Sequence, residues 1–373
     1  MLPRRLLLST ATAMAAAFIA VPTLAHADEP IKVVATFSIL GDMVKQIGDD
    51  KIELITLVGP DGDAHVYQPT PQAAKAVSEA DVLILNGLEF EGWLERLNEA
   101  ASFDGALVVA TSGIDPLPFD DHDEEDHDDH AEHSKAKHDD DHAEHDDHDH
   151  GEEHAEHKDH DDHGDEHAEH DDHDHSEEHA EHKDHDDHGD EHAGHDHGAF
   201  DPHAWQSIDN AKLYVENITA GLAKADPSNA STFYTNSAAY LAELEALEAE
   251  VSALVDTLPA EKRTVVTSHD AFGYFADDYG LRFEAPQGLS TESEPSAADV
   301  AELITQIREE GVSAVFVESI TDNRLLEQIA RETGATIGGT LYSDALSDED
   351  GPAATYIDMM RHNAITLSSA LGS

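Results

Sequence analysis

Cysteine is absent from all 373 residues. No disulfide can form, no thiol is present to carry a lipid, and any metal site has to be built from His, Asp and Glu. Basic residues are scarce as well: 20 Lys and Arg stand against 82 Asp and Glu, a formal net charge of -62. That balance excludes nucleic-acid binding by phosphate neutralisation and favours cationic partners, of which metal ions are the simplest. Beyond the N-terminus no apolar run is long enough to span a bilayer.

The N-terminal stretch MLPRRLLLSTATAMAAAFIAVPTLAHA carries two arginines, then an apolar run, then the small-x-small sequence Ala25-His26-Ala27. It reads as a secretory signal peptide cleaved near Ala27, and a membrane anchor is the alternative reading. The expectation is an exported, soluble protein placed in a bacterial periplasm.

What is abundant is histidine beside carboxylate. Residues 120–198 hold 37 Asp and Glu against 4 Lys, and 24 of the 29 histidines. A 25-residue unit, DDHDHGEEHAEHKDHDDHGDEHAEH at 146–170, recurs at 171–195 with only Gly151 replaced by Ser176 and Glu169 by Gly194. So little of this tract is apolar that burial cannot offset the entropy of ordering it, which predicts a disordered loop.

On either side of the tract, β-branched apolar runs alternate with helical patterns. The runs at 31–39, 52–59, 81–87 and 106–111 read as strands, and so do 262–268, 281–288, 312–319 and 335–343. Helical segments separate them, the pattern of a parallel sheet covered by helices. Between the two sets, residues 231–258 place Leu241, Leu244, Leu247, Val251, Leu254 and Leu258 at helical spacing on one stripe. The predicted fold class is α/β: two lobes, each a mainly parallel sheet flanked by helices, joined by a long helix. The predicted segments are a signal peptide (1–27), an N-terminal lobe (28–119), the tract (120–198), the completion of that lobe (199–230), the linker helix (231–258) and a C-terminal lobe (259–373).

Outside the tract and the leader only His65, His203, His269 and His362 remain. His65 and His269 each follow a predicted strand, at the sheet edge where open α/β folds bind ligands. His203 stands in DPHAW, directly after the tract. His362, on the last helix, reads as a surface residue. Glu318 ends a predicted strand of the second lobe and Asp344 follows another. A cleft between the lobes could gather His65 and His203 from one side, and His269 with one of these carboxylates from the other. Three neutral imidazoles and a carboxylate suit tetrahedral zinc. Asp63 and Asp270, beside two of the histidines, read as loop or capping residues.

The ordered motifs GPDGDAHVYQPTP, NGLEFEGW, DPHAW, SHDAFGYFADDYGL and LYSDALS resemble the metal-binding proteins of bacterial ABC uptake systems for zinc and manganese, within them the zinc-specific ZnuA-like group. The resemblance covers nearly the whole chain after the leader. It implies a rigid linker helix and one metal held between the lobes by His65, His203, His269 and Asp344, with Glu318 as a partner that orients a histidine or as the alternative fourth ligand. Manganese-binding relatives typically carry glutamate where His269 stands, so the resemblance points to Zn2+ as the transported ligand. The implied partners are an ABC permease and, through it, its ATPase; a periplasmic metallochaperone is left open, and a monomer is expected. The family also shows acidic, histidine-rich insertions before DPH.

The tract's HxH and HxxH pairs offer many weak, interchangeable sites, so it is expected to capture or buffer zinc for the cleft; a solvated spacer is the bland alternative. Not being an enzyme is the further expectation, since no HExxH motif is present and a site of three histidines and an acid leaves no place for an activated water. The remaining alternatives are a manganese-binding relative and a zinc store without transport.

Overall fold

The computed structural model describes residues 29–119 and 200–372; the expected signal peptide and the tract lie outside the described residues. The Val- and Ile-rich runs become two sheets. The first has β1 (Ile31–Phe37), β2 (Ile52–Val58), β3 (Val82–Leu85) and β4 (Ala106–Val109) in the order β2-β1-β3-β4. The second has β5 (Thr264–Val266), β6 (Arg282–Glu284), β7 (Ala314–Glu318) and β8 (Thr336–Leu341) in the order β6-β5-β7-β8. Every pairing in both is parallel, with Val33 opposite Leu54 and Val82, and Val266 opposite Glu284 and Val315. The two lobes thus repeat one topology. Each has its switch point between its first and third strands, where the connections depart in opposite directions and leave a crevice.

Helices cover both sheets: α1 (Ser38–Gly48), α2 (Pro71–Ser78), α3 (Leu94–Ala101) and α4 (Ile208–Ala225) with the first, α6 (Gly273–Tyr279), α7 (Ala297–Glu310), α8 (Arg324–Thr333) and α9 (Tyr356–Leu371) with the second. Local chemistry sets their starts. Thr70 caps α2 at Ala73 N with Pro71 in the first turn, Ser207 caps α4, and Ser296 with Asp299 forms a capping box on α7.

The long helix expected over 231–258 is α5 (Ala230–Val255), 26 residues, or about 39 Å at 1.5 Å per residue. Its buried face is Phe233, Ser237, Tyr240, Leu244, Leu247, Val251 and Val255. Leu241 and Leu254 of the expected stripe flank this face half-buried. The face packs on α1 and α4 of the first lobe and on α9 of the second. One apolar core runs from β1 through α5 to Met360 and Leu367 on α9, and a smaller one lies under α7 and α8 around Val266, Val315 and Ile329.

His362 is not the surface residue expected. It is half-buried, with Nε2 3.0 Å from the Thr340 carbonyl oxygen and its ring edge-on to Tyr342. The reason is tertiary: α9 packs on β8, which covers this face of the helix. Among the described residues no helix is long and apolar enough to cross a membrane.

Candidate metal centre

Each lobe delivers two side chains to one point. His65 comes from the loop between β2 and α2, and His203 from the segment that leads into α4. His269 follows β5, beside the switch point of the second sheet, and Asp344 follows β8. Their ligand atoms all lie within 4.8 Å of one another. His65 is 7% exposed and the other three 0%.

Asp344 is the hub. Its Oδ2 lies 3.1 Å from Nε2 of both His65 and His269, and its Oδ1 lies 3.7 Å from Nε2 of His203. The two N-lobe imidazoles approach to 3.4 Å between their Nε2 atoms. Nε2 of every histidine therefore faces the centre, and a ring nitrogen is left on the far side of each to be held by something else.

Two carboxylates supply that hold. Asp201 Oδ1 lies 2.8 Å from Nδ1 of His203 and also accepts from the His203 backbone N–H at 2.9 Å. Glu318 Oε2 lies 2.7 Å from Nδ1 of His269, while Oε1 accepts from Ser268 N at 2.7 Å and His269 N at 2.9 Å. Asp201 thereby favours a proton on Nδ1 of His203 and turns its Nε2 inward, the arrangement that raises imidazole basicity at metal sites, and Glu318 stands at ion-pair distance behind His269. Glu318 is thus outside the converging four and faces the back of His269.

Asp63 repeats the device in part: its Oδ1 accepts from His65 N at 2.9 Å. His65 and His203 are therefore each preceded, two residues earlier, by an Asp that fixes the histidine backbone. That D-x-H spacing was readable in the sequence, and it distinguishes Asp201 as an orienting residue rather than only part of a motif. Asp270 is held differently. Its backbone N–H donates to Gln287 O and Gly288 O, and burial, with the nearby Asp201 charge, pushes its carboxyl up to about 6.

Aromatic rings wall the centre. Phe90 packs edge-on against His65 at 4.8 Å between centroids, and Trp205 against His203 at 5.3 Å. Phe90 follows a turn in which Gly87, Leu88 and Glu89 all have positive φ, two of them non-glycine, a strained conformation that needs support from its surroundings. Buried Glu91 gives it, accepting from Asn86 N at 2.7 Å, Gly87 N at 3.2 Å and Thr36 Oγ1 at 2.7 Å. Asn86 in turn donates to Pro202 O at 2.9 Å, just before His203. Asn86, Phe90 and Glu91 stand in the motif NGLEFEGW, but nothing in that motif showed the bonds to Thr36 and Pro202.

The electrostatics without an ion follow from this packing. Burial pulls His269 down, but the Glu318 and Asp344 carboxylates outweigh it and hold its pKa well above the usual 6.5. Burial pushes Asp344 up, yet the positive charge of the histidines around it, His269 first, holds it well below 3.8. Burial wins at His65, whose pKa is lowered. The His269 ring thus lies between two carboxylates that favour its charged form, Glu318 at Nδ1 and Asp344 at Nε2.

The family described as zinc-uptake complex component A, periplasmic (ZnuA), matches residues 33–370. The iron-binding protein YfeA of Yersinia pestis is 29% identical over 341 residues, 91% of this chain and 86% of its own length. The manganese-binding lipoprotein MntA of Halalkalibacterium halodurans is 29% identical over 343 residues, covering 92% and 89%. The solved structure of the periplasmic zinc-binding protein TroA from Treponema pallidum is similar with a TM-score of 0.69 and 25% identity, over 92% of this chain and 99% of that one. The two-lobe α/β fold is shared with it, and the metals named for these three relatives are iron, manganese and zinc.

Proposed function

This chain belongs to the ZnuA family of periplasmic zinc-uptake components, and on that premise we propose that it binds Zn2+ in the periplasm and delivers it to an ABC permease, driven by that permease's ATPase. The observation that carries the reading is the convergence of His65, His203, His269 and Asp344, buried, with ligand atoms within 4.8 Å. Three imidazoles and one carboxylate make a set of four, matched to tetrahedral zinc; manganese favours more oxygen and a six-coordinate shell. Asp201 and Glu318 orient the imidazoles from behind and supply negative charge that offsets the cost of burying a dication.

The His-rich tract serves this site by capturing and buffering zinc. Its 24 histidines and net charge of -33 concentrate divalent cations, while each binding event must order chain, which keeps each local site weaker than the cleft. Pro118 pairs with Phe200, so the chain re-enters the described lobe three residues before His203. The leader exports the chain and is cleaved near Ala27. The protein works as a monomer, and no enzymatic step belongs to it.

Manganese is the second reading, favoured by the similarity to MntA. Competition for the single tight site between the two metals separates the readings: zinc displacing manganese supports the first, manganese retained against equimolar zinc supports the second.

A further inference from the structure

The four converging side chains are so buried that an ion cannot enter or leave while the segments around them keep their places. What must move is set by the hydrogen bonds that hold the lobes together here, and two sets of them differ in kind. One is buried and dense. Trp205 Nε1 and Gln206 Nε2 both donate to Ser343 O at 2.9 and 2.8 Å, the Tyr356 hydroxyl donates to Trp205 O at 2.7 Å, and Leu346 N donates to Ser38 Oγ at 2.9 Å. These bonds sit beside Asp344 and tie it to the N-terminal lobe; Asp61 N donating to Leu346 O at 2.8 Å joins the lobes there too, and beside His203 the Tyr274 hydroxyl donates to Asp201 O at 2.9 Å and accepts from Leu117 N at 3.1 Å.

The other is a single, half-exposed bond. Thr291 Oγ1 donates to Asp63 Oδ2 at 2.6 Å, while the other oxygen of that carboxylate accepts from His65 N at 2.9 Å. Thr291 lies in a stretch, 285–296, that has neither helix nor named strand. The same stretch is tied at Gln287 to the other lobe's ligand segment, pairing with His269 and accepting from Asp270 N at 3.1 Å. One irregular loop therefore joins the turn of His65 to the turn of His269. Gly288 and Glu292 on it, and Val66 opposite, are exposed, so this is the side on which the centre comes nearest to water.

We propose that Thr291 is a positioning residue that latches the cleft: its hydroxyl holds Asp63, Asp63 holds the His65 backbone, and this bond breaks before the ion is exchanged. The inference rests on the reading of the four side chains as the cargo site. Parting the loop of Thr291 from the turn of His65 breaks one bond to a half-exposed carboxylate that water can resolvate; parting the lobes at Asp344 or at Tyr274 breaks several, most of them buried, so the latch is the easier path.

The test is zinc release from the full chain. Zn2+-loaded protein is mixed with excess chelator and the slow phase followed, with His203→Ala identifying which phase belongs to the cleft. Thr291→Val removes the donor and keeps the shape, and is expected to speed that phase about tenfold, the loss of one hydrogen bond to a charged group. Thr291→Ala, a second route to the same loss, is expected to do likewise, and Thr291→Ser to restore the parent rate. Release from Thr291→Val and Thr291→Ala at the parent rate overturns the latch and leaves the cargo site standing. A slow phase that survives His203→Ala overturns both.

Discussion

Glu318 and Asp344 face opposite nitrogens of one imidazole: Glu318 Oε2 is 2.7 Å from Nδ1 of His269, and Asp344 Oδ2 is 3.1 Å from its Nε2. The first carboxylate backs the ring and the second meets its inward face, the face on which the proposed cargo site is built. Glu318→Gln keeps the shape and removes the charge behind the ring. Zinc affinity should fall by about tenfold or more, with the far-ultraviolet circular dichroism unchanged; an unchanged affinity in a competitive titration would remove Glu318 from the account.

Zinc binding should release a proton. His269 has its pKa held well above 6.5 when no ion is present, so at neutral pH the metal displaces a proton from Nε2. Below that raised value, affinity should increase by about tenfold per pH unit, and it should level off once pH passes it. His65, with a lowered pKa, is already neutral above 6.5 and adds nothing there. Calorimetry in buffers of different ionisation enthalpy counts the protons; a count of zero at pH 7 contradicts the protonated His269.

The same shifts act on the metal-free fold. A raised His269 pKa contributes stability that is fully present below the unfolded value of 6.5 and is lost as pH rises through the folded one; a depressed Asp344 contributes stability present above 3.8 and lost as pH falls through its folded value. His269→Ala should therefore flatten the alkaline decline of metal-free stability. Urea midpoints taken from pH 6 upward measure it, and parallel pH profiles for parent and variant would speak against the coupling.

Deleting 121–198 should lower the number of zinc ions bound and leave one tight ion in place. The Pro118–Phe200 pairing closes the base, so the cut joins neighbouring points of the chain. Stoichiometry by equilibrium dialysis decides: an unchanged number means the tract binds no metal.

The eight strands were legible because β-branched runs such as IKVVATF have few alternatives to a buried strand. Their ends were not. The run at 262–268 shortens to Thr264–Val266 because Ser268 and His269 give their N–H groups to Glu318 rather than to a strand. The run at 281–288 shortens to Arg282–Glu284, where Pro286 has no N–H to donate and Gln287 turns to pair with His269. His65, His203 and His269 could be singled out because so few histidines lie outside the tract and because strand ends mark the ligand edge of an α/β sheet, whereas the choice of Asp344 over Glu318 came only from the resemblance to the metal-binding family. Thr291 could not be singled out, since its partner lies 228 positions away in sequence, nor could the bonds of Asn86 to Pro202 and of Glu91 to Thr36, 116 and 55 positions away, and His362 was misread because only the packing of α9 on β8 decides its exposure.

The central claim is that the cleft, not the tract, holds the cargo ion. Its most direct measurement is a competitive zinc titration of three proteins: the chain after the leader, the same chain without 121–198, and that deletion carrying His269→Ala. The account predicts that the deletion keeps one tight zinc and that His269→Ala weakens it at least about tenfold, or 1.4 kcal/mol. A deletion that abolishes all tight binding would contradict it and make the tract the zinc-binding element.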